Sequence, residues 1–117
     1  MRRIDTYKNL TIWKESVSLI KEVYRKADTL PKSEEFNLKL QLKKAVVSVA
    51  LNIAEGKNRK TSRAFSHFLS ISAGSLAETD AILEISQELG FIEYPEDLKE
   101  KTDKLIRQIN SLRSKIS

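Results

Sequence analysis

The sequence contains no cysteine, only three glycines and two prolines, and a single histidine in 117 residues. Without cysteine there is no disulfide framework, no thiolate metal site and no cysteine nucleophile, and the chain suits a reducing compartment. No run approaches the roughly 20 apolar residues that span a bilayer, and the opening MRRIDTYKNL lacks the apolar core of a signal peptide. A soluble cytoplasmic protein with no membrane partner is the expectation. Catalytic signatures are missing too. There is no HExxH, no GxSxG and no GxxxxGK phosphate loop, and His67 has Ala64 three residues before it rather than the glutamate of a di-metal bundle. The expectation is therefore a non-enzyme with no catalytic residue, metal or cofactor, and with His67 at the surface or the core boundary.

What the chain does have is positive charge, unevenly spread. The net charge is +5. Residues 1–60 hold fourteen Lys/Arg against seven Asp/Glu, whereas residues 61–117 hold seven against nine. From Gly56 to Ala77 there are four cations, Lys57, Arg59, Lys60 and Arg63, and no acid. A local positive potential is expected there.

The length fits one domain with a single hydrophobic core. Gly and Pro sit where helices stop or start, which points to an all-α fold. Helices are predicted over about 11–29, 34–55, 62–89 and 96–116, joined by short loops as an up-down-up-down antiparallel bundle. In the first, Trp13, Val17, Ile20, Tyr24 and Ala27 form an apolar stripe. Ser33 is a candidate N-cap for the second, with Glu34 and Glu35 in its first turn and Gly56 as its stop. Residues 47–53 alternate as a strand would, but no turn signal separates them from the helix-favouring LKLQLKKA before them, and a lone strand would have no partner. Taken as helix, this segment is apolar on two stripes. Leu38, Leu42, Ala45, Val49 and Ile53 make one; Leu40, Val47, Leu51 and Ala54 make the other, which is free to meet another helix or another chain. Leu40, Val47 and Leu51 are the expected oligomer interface. The third helix, with Ser62 as candidate N-cap, takes bulk from Phe65, Phe68, Leu69, Leu76, Leu83 and Leu89. Its Gly74 costs about 1 kcal/mol against alanine in a helix interior, which suggests a neighbouring helix in close approach. Pro95 opens the fourth helix, whose seam is Leu98, Thr102, Leu105, Ile109, Leu112 and Ile116.

Several ordered motifs carry a resemblance. These are Leu10-x-Ile12-Trp13-Lys14, then Gln41-Leu42-Lys43-Lys44-Ala45 with Val47-Ser48 and Asn52-Ile53-Ala54-Glu55-Gly56. Phe65-x-x-Phe68-Leu69-x-Ile71-Ser72-x-Gly74-Ser75-Leu76-x-Glu78 and Leu89-Gly90 follow. Over about residues 7–92 the sequence resembles the four-helix bundle proteins encoded in intervening sequences of bacterial 23S ribosomal RNA genes. It is similar also to the accessory variability protein of diversity-generating retroelements. The resemblance implies a barrel-like homopentamer with a basic surface suited to nucleic acid, RNA before DNA, and no enzymatic activity. The retroelement relative also binds its reverse transcriptase, so a protein partner of that kind is implied as well. One departure is visible: Val49-Ala50-Leu51 stand where many members carry Ile-Pro, so the second helix is expected to lack the family's kink.

Two functional readings follow. In the first, Lys57, Arg59, Lys60 and Arg63, extended by Lys39, Lys43 and Lys44 and by Arg2 and Arg3, grip a nucleic-acid backbone without reading its sequence. Arg63 stands out because a cation in a helix's first turn opposes the dipole. Phe65 and Phe68, at core spacing, are expected to be buried rather than to stack on bases, and the helices are too long for a compact helix-turn-helix reader. In the second reading the charge serves solubility, and the exposed helix faces make a protein-interaction scaffold. Asn52, Glu55 and Glu78 are assigned structural polar roles, Glu55 pairing with Arg59 or Arg63 and Glu78 satisfying a buried donor. Asp80, Glu84 and Glu88 are expected to face Lys101 or Lys104.

Overall fold

The computed structural model describes residues 6–116, so Arg2 and Arg3 lie outside the described residues. After a single 3-10 turn, Tyr7–Asn9, four helices follow: α1 (Thr11–Ala27), α2 (Leu38–Asn58), α3 (Ser62–Glu88) and α4 (Glu96–Ile116). They form an antiparallel four-helix bundle of 45 × 26 × 20 Å, with α2 against α3 as its most extensive contact and α1 and α4 closing the other side. No described residue is in a strand, and the 47–53 segment lies within α2 without interruption.

Leu19, Leu42, Ile53, Leu69, Leu76, Leu83, Leu105 and Ile109 fill the centre. The expected α2 stripe of Leu38, Leu42, Ala45, Val49 and Ile53 is buried, as are Leu98, Thr102, Leu105 and Ile109 of α4. In α1 the expected stripe holds at Ala27 and is otherwise displaced by one residue. Ile12, Ser16, Leu19, Val23 and Ala27 face the core, while Trp13, Val17, Ile20 and Tyr24 are half-buried beside them. Ser16 disguises the true stripe, since its hydroxyl enters the core by donating to the Ile12 carbonyl at 2.6 Å. Thr79, Ser86 and Thr102 are buried in the same way, each bonded to the carbonyl one turn back. A hydroxyl satisfied inside its own helix costs little to bury. Leu89, expected to add bulk to α3, is 56% exposed.

The helix ends correct the punctuation. Ser33 belongs to a 3-10 turn, Lys32–Glu34, and α2 starts four residues later than predicted, after Asn37. Thr61 rather than Ser62 caps α3, its Oγ1 accepting from the Ala64 N–H at 3.1 Å. Gly90, at φ 78°, ends α3 as expected. The Gly90 N–H reaches the Gln87 carbonyl and the Phe91 N–H the Ser86 carbonyl, the paired bonds of a Schellman closure. Gly56 does not stop α2, which continues to Asn58. Its role is spatial: a methyl group there would lie 2.8 Å from Phe68 Cβ and 2.9 Å from Phe65 Cδ1. Gly74, the residue assigned to close approach, is exposed with nothing within 4 Å of such a methyl. The tight crossing is made by its neighbours. Ser72 Oγ donates across to the Val49 carbonyl at 2.8 Å, and Ser75 and Ser48 hydroxyls meet at 2.9 Å.

The α3–α4 connection is fastened by Tyr94, which is 3% exposed. Its hydroxyl donates to Asp80 Oδ1 at 2.8 Å and its N–H to Gln87 Oε1 at 2.7 Å. Burial pushes the phenol pKa up, and the Asp80 carboxylate beside it adds to the shift. A raised folded pKa means that the folded state holds the proton more tightly. The resulting stability is complete below the unfolded tyrosine value of about 10 and is lost as pH rises above it. Tyr94→Phe is expected to lower stability by about 1.5–3 kcal/mol at neutral pH, through the lost bond to a charged acceptor. Denaturant titrations above pH 10 should show a flatter decline for the variant than for the wild type.

Candidate nucleic-acid interface

Antiparallel packing brings the start of α1, the α2–α3 turn and the end of α4 to one end of the bundle. Lys8 and Lys14 come from the first stretch, Lys57, Arg59, Lys60 and Arg63 from the turn, and Arg107, Arg113 and Lys115 from α4. Residues 6–15, 55–66 and 107–116 together hold these nine cations against Glu15 and Glu55. In the rest of the described chain the acids outnumber the cations, thirteen to ten. Low dielectric on one side and like charges on the other focus such a surplus into the solvent at that end.

The turn itself is only partly free. Arg59 pairs with Glu55 at 3.2 Å, both half-exposed, and its guanidinium lies over the Phe68 ring at 4.9 Å from the centroid. Of the two arginines expected as its partner, Glu55 pairs with Arg59 and not with Arg63. Lys60 and Arg63 are exposed and make no ion pair with another described residue, and Lys57 is half-buried beside them. Asn52 donates to the Ser48 carbonyl and hydroxyl, both at 2.9 Å, and so lies inside the α2–α3 polar contact. Phe65 and Phe68 are half-buried rather than buried: they wall Gly56, and His67 is exposed, edge-on to Phe68 at 5.5 Å.

Lys43 and Lys44 do not join the turn. They lie about 20 Å back along α2 at 1.5 Å per residue, towards the opposite end of the bundle. Lys43 binds Asp28 at 2.8 Å and caps the Tyr24 ring, and Lys39 pairs with Glu35 and Asp28. The Lys43 hydrogen bond holds the Asp28 carboxyl below its usual range, and the Glu35 hydrogen bond holds Lys39 above its own. Lys44 remains exposed, on a shallow recess with Ser48, Ser75 and Glu78. Glu78 is itself exposed and satisfies no buried donor among the described residues. The acidic stripe of α3 also finds other partners than expected. Glu84 pairs with Lys99 at 3.4 Å, whereas Lys101 crosses to Glu22 and Ser18 of α1.

The second α2 stripe is uncovered by this chain. Leu40 is 47% and Leu51 63% exposed, and with Val47, Tyr24, Lys43 and Lys44 they line an apolar groove of about 420 Å³. Phe36, 88% exposed, lies in the turn just before α2. No helix among the described residues is long and apolar enough to cross a membrane.

Sequence reasoning missed the cations of α4, because they are distant in the chain from the turn and lie in the half whose acids outnumber its bases. The available signal was topological: the chain runs out along α3 and back along α4, so the end of α4 returns to the end where the turn lies.

Against known proteins, the model of the 23S rRNA-intervening sequence protein family matches residues 8–115. The chain belongs to that family. The match takes in all four helices, including α4, which lies beyond the motifs of residues 7–92. This member of the 23S rRNA-intervening sequence protein family is a four-helix bundle with nine of its described cations gathered at one end. Among curated proteins no match to the sequence was found.

Proposed function

We propose that the protein is a non-enzymatic, homo-oligomeric accessory protein that acts in the cytoplasm and binds nucleic acid, RNA in preference to DNA, with its basic end. The observation that carries this reading is the nine-to-two excess of cations over acids gathered there from three separate stretches of chain. Lysine and arginine side chains on a convex helix end meet phosphates without reading base edges, so the binding is backbone-directed. The family name carries 23S rRNA, which makes ribosomal RNA the first polymer to test. Repetition around a ring, for which a pentamer is the expected size, multiplies the cations presented to one polymer. The α2 stripe of exposed Leu40 and Leu51 around half-buried Val47 supports that assembly, because an open apolar face of this kind is commonly covered by a partner surface.

The test is a titration of a 23S rRNA fragment at rising salt. On this reading log affinity falls linearly with log salt, at about −0.7 to −0.9 per phosphate contact. Flat salt dependence, or no retention at moderate salt, removes the reading. Light scattering tests the assembly, and a 13.4 kDa species at micromolar concentration overturns it. The same apolar stripe supports a second reading, in which it receives a different protein, such as a reverse transcriptase, and the protein acts as a scaffold. A monomer that ignores RNA and co-purifies with one protein partner at fixed stoichiometry selects that reading.

A further inference from the structure

A groove of about 590 Å³ runs between the start of α1 and the last three turns of α4. Lys104, Arg107, Gln108, Ser111 and Lys115 recur at +3, +4, +7 and +11, which sets them on one face of α4. Leu10, Thr11 and Ile12 form the facing wall, and Leu112 completes an aliphatic floor. No acid lines the groove, and Lys104, Arg107 and Lys115 make no ion pair with another described residue. The first turn of α1 contributes no acid either.

Two features must be matched by one occupant: three unpaired cations on the rim and an apolar floor between them. A duplex meets only the first, because its phosphates lie outside and its base faces are stacked within. An unpaired strand meets both, phosphates against the cations and base faces against Leu10 and Leu112, with the Arg107 guanidinium plane available for stacking. The rim extends about 16 Å from Lys104 to Lys115 at 1.5 Å per residue, more than a single phosphate requires. A strand leaving the groove stays at the end of the bundle that carries the Lys57–Arg63 turn. An aliphatic floor accepts any base, so sequence is not selected.

We propose that this groove binds a short single-stranded stretch of nucleic acid. The proposal rests on the nucleic-acid reading above and narrows it to unpaired strands. The test is fluorescence anisotropy with a labelled twelve-residue oligouridylate and a labelled RNA hairpin of equal phosphate count. The proteins compared are wild type, the triple variant Lys104→Gln, Arg107→Gln, Lys115→Gln, and Leu112→Ser, each checked for helicity by circular dichroism. Wild type is expected to prefer the single strand. The triple variant should bind it at least tenfold more weakly, with a salt slope smaller by about 2, the loss of three contacts at about 0.7 each, and should lose clearly less on the hairpin, which the Lys57–Arg63 turn also holds. Leu112→Ser should weaken single-strand binding alone, at unchanged salt slope. Equal losses on both probes overturn the groove assignment and leave the general reading standing. So does competition by polyglutamate as effective as by unlabelled oligouridylate, which assigns the groove to acidic peptide. Failure of the wild type to bind either probe removes both.

Discussion

Gly56→Ala is expected to destabilise the bundle by about 1–2 kcal/mol, although alanine is the better helix former. Gly56 lies inside α2, where replacing glycine by alanine gains about 1 kcal/mol in helix propensity. Against that stands the new methyl group, 2.8 Å from Phe68 Cβ and 3.3 Å from the Phe65 carbonyl oxygen. Neither atom is the end of a flexible side chain. Relief requires α2 and α3 to separate, which loosens the Ser72–Val49 and Ser48–Ser75 bonds along the same crossing. Overpacking of this kind costs about 1–3 kcal/mol, occasionally more; contacts this short, against a Cβ and a backbone oxygen, belong to the upper part of that range, and Gly56→Val should exceed it. Gly74→Ala is the control: with nothing within 4 Å, it should gain about 1 kcal/mol from propensity alone. Urea midpoints of the variants decide the matter. A Gly56→Ala protein as stable as wild type would mean that α2 and α3 are not held this closely.

Neutralising Lys57, Arg59, Lys60 and Arg63 together to glutamine is expected to remove a large part of the salt-sensitive RNA affinity. Four phosphate contacts correspond to about 3 units of log–log slope, so the variant should bind structured RNA more weakly and with a slope shallower by about that amount, the remainder coming from the cations of α1 and α4. The four are not equivalent. Arg59 is already engaged by Glu55 and Phe68, so Arg59→Gln alone should matter less than Arg63→Gln, whose side chain is exposed. Gel retardation across a salt series reads both results. Unchanged affinity in the quadruple variant would remove the turn from the interface and leave the cations of α1 and α4 as the candidates.

How far the sequence carries the fold is visible in particular residues. The α2 stripe from Leu38 to Ile53 and the α4 seam were legible because hydrophobic periodicity survives wherever a core position is aliphatic. The α1 stripe was misplaced by one residue because Ser16 occupies a core position with a hydroxyl that bonds within its own helix. Glycine was legible as a breaker at Gly90, where φ is positive, and misleading at Gly56 and Gly74. A glycine in a helix signals equally a stop, a close neighbour or nothing at all, and only the position of the next helix separates these. The turn cations were found by local density. The pairing of Glu55 with a turn arginine was legible from its four-residue spacing, whereas the neutralisation of Lys43 was not, since Asp28 reaches it across fifteen residues.

The sequence by itself determined an all-α chain, four helices, most of one apolar core, an uncovered stripe on α2 and a basic turn after it. These follow from local rules of period, capping and composition, which act over a few residues. The tertiary structure alone decided which glycine is indispensable, which lysines are neutralised, and that Arg107, Arg113 and Lys115 stand at the same end as the turn. Those are questions of distance between residues remote in the chain, and antiparallel packing, not local preference, fixes such distances.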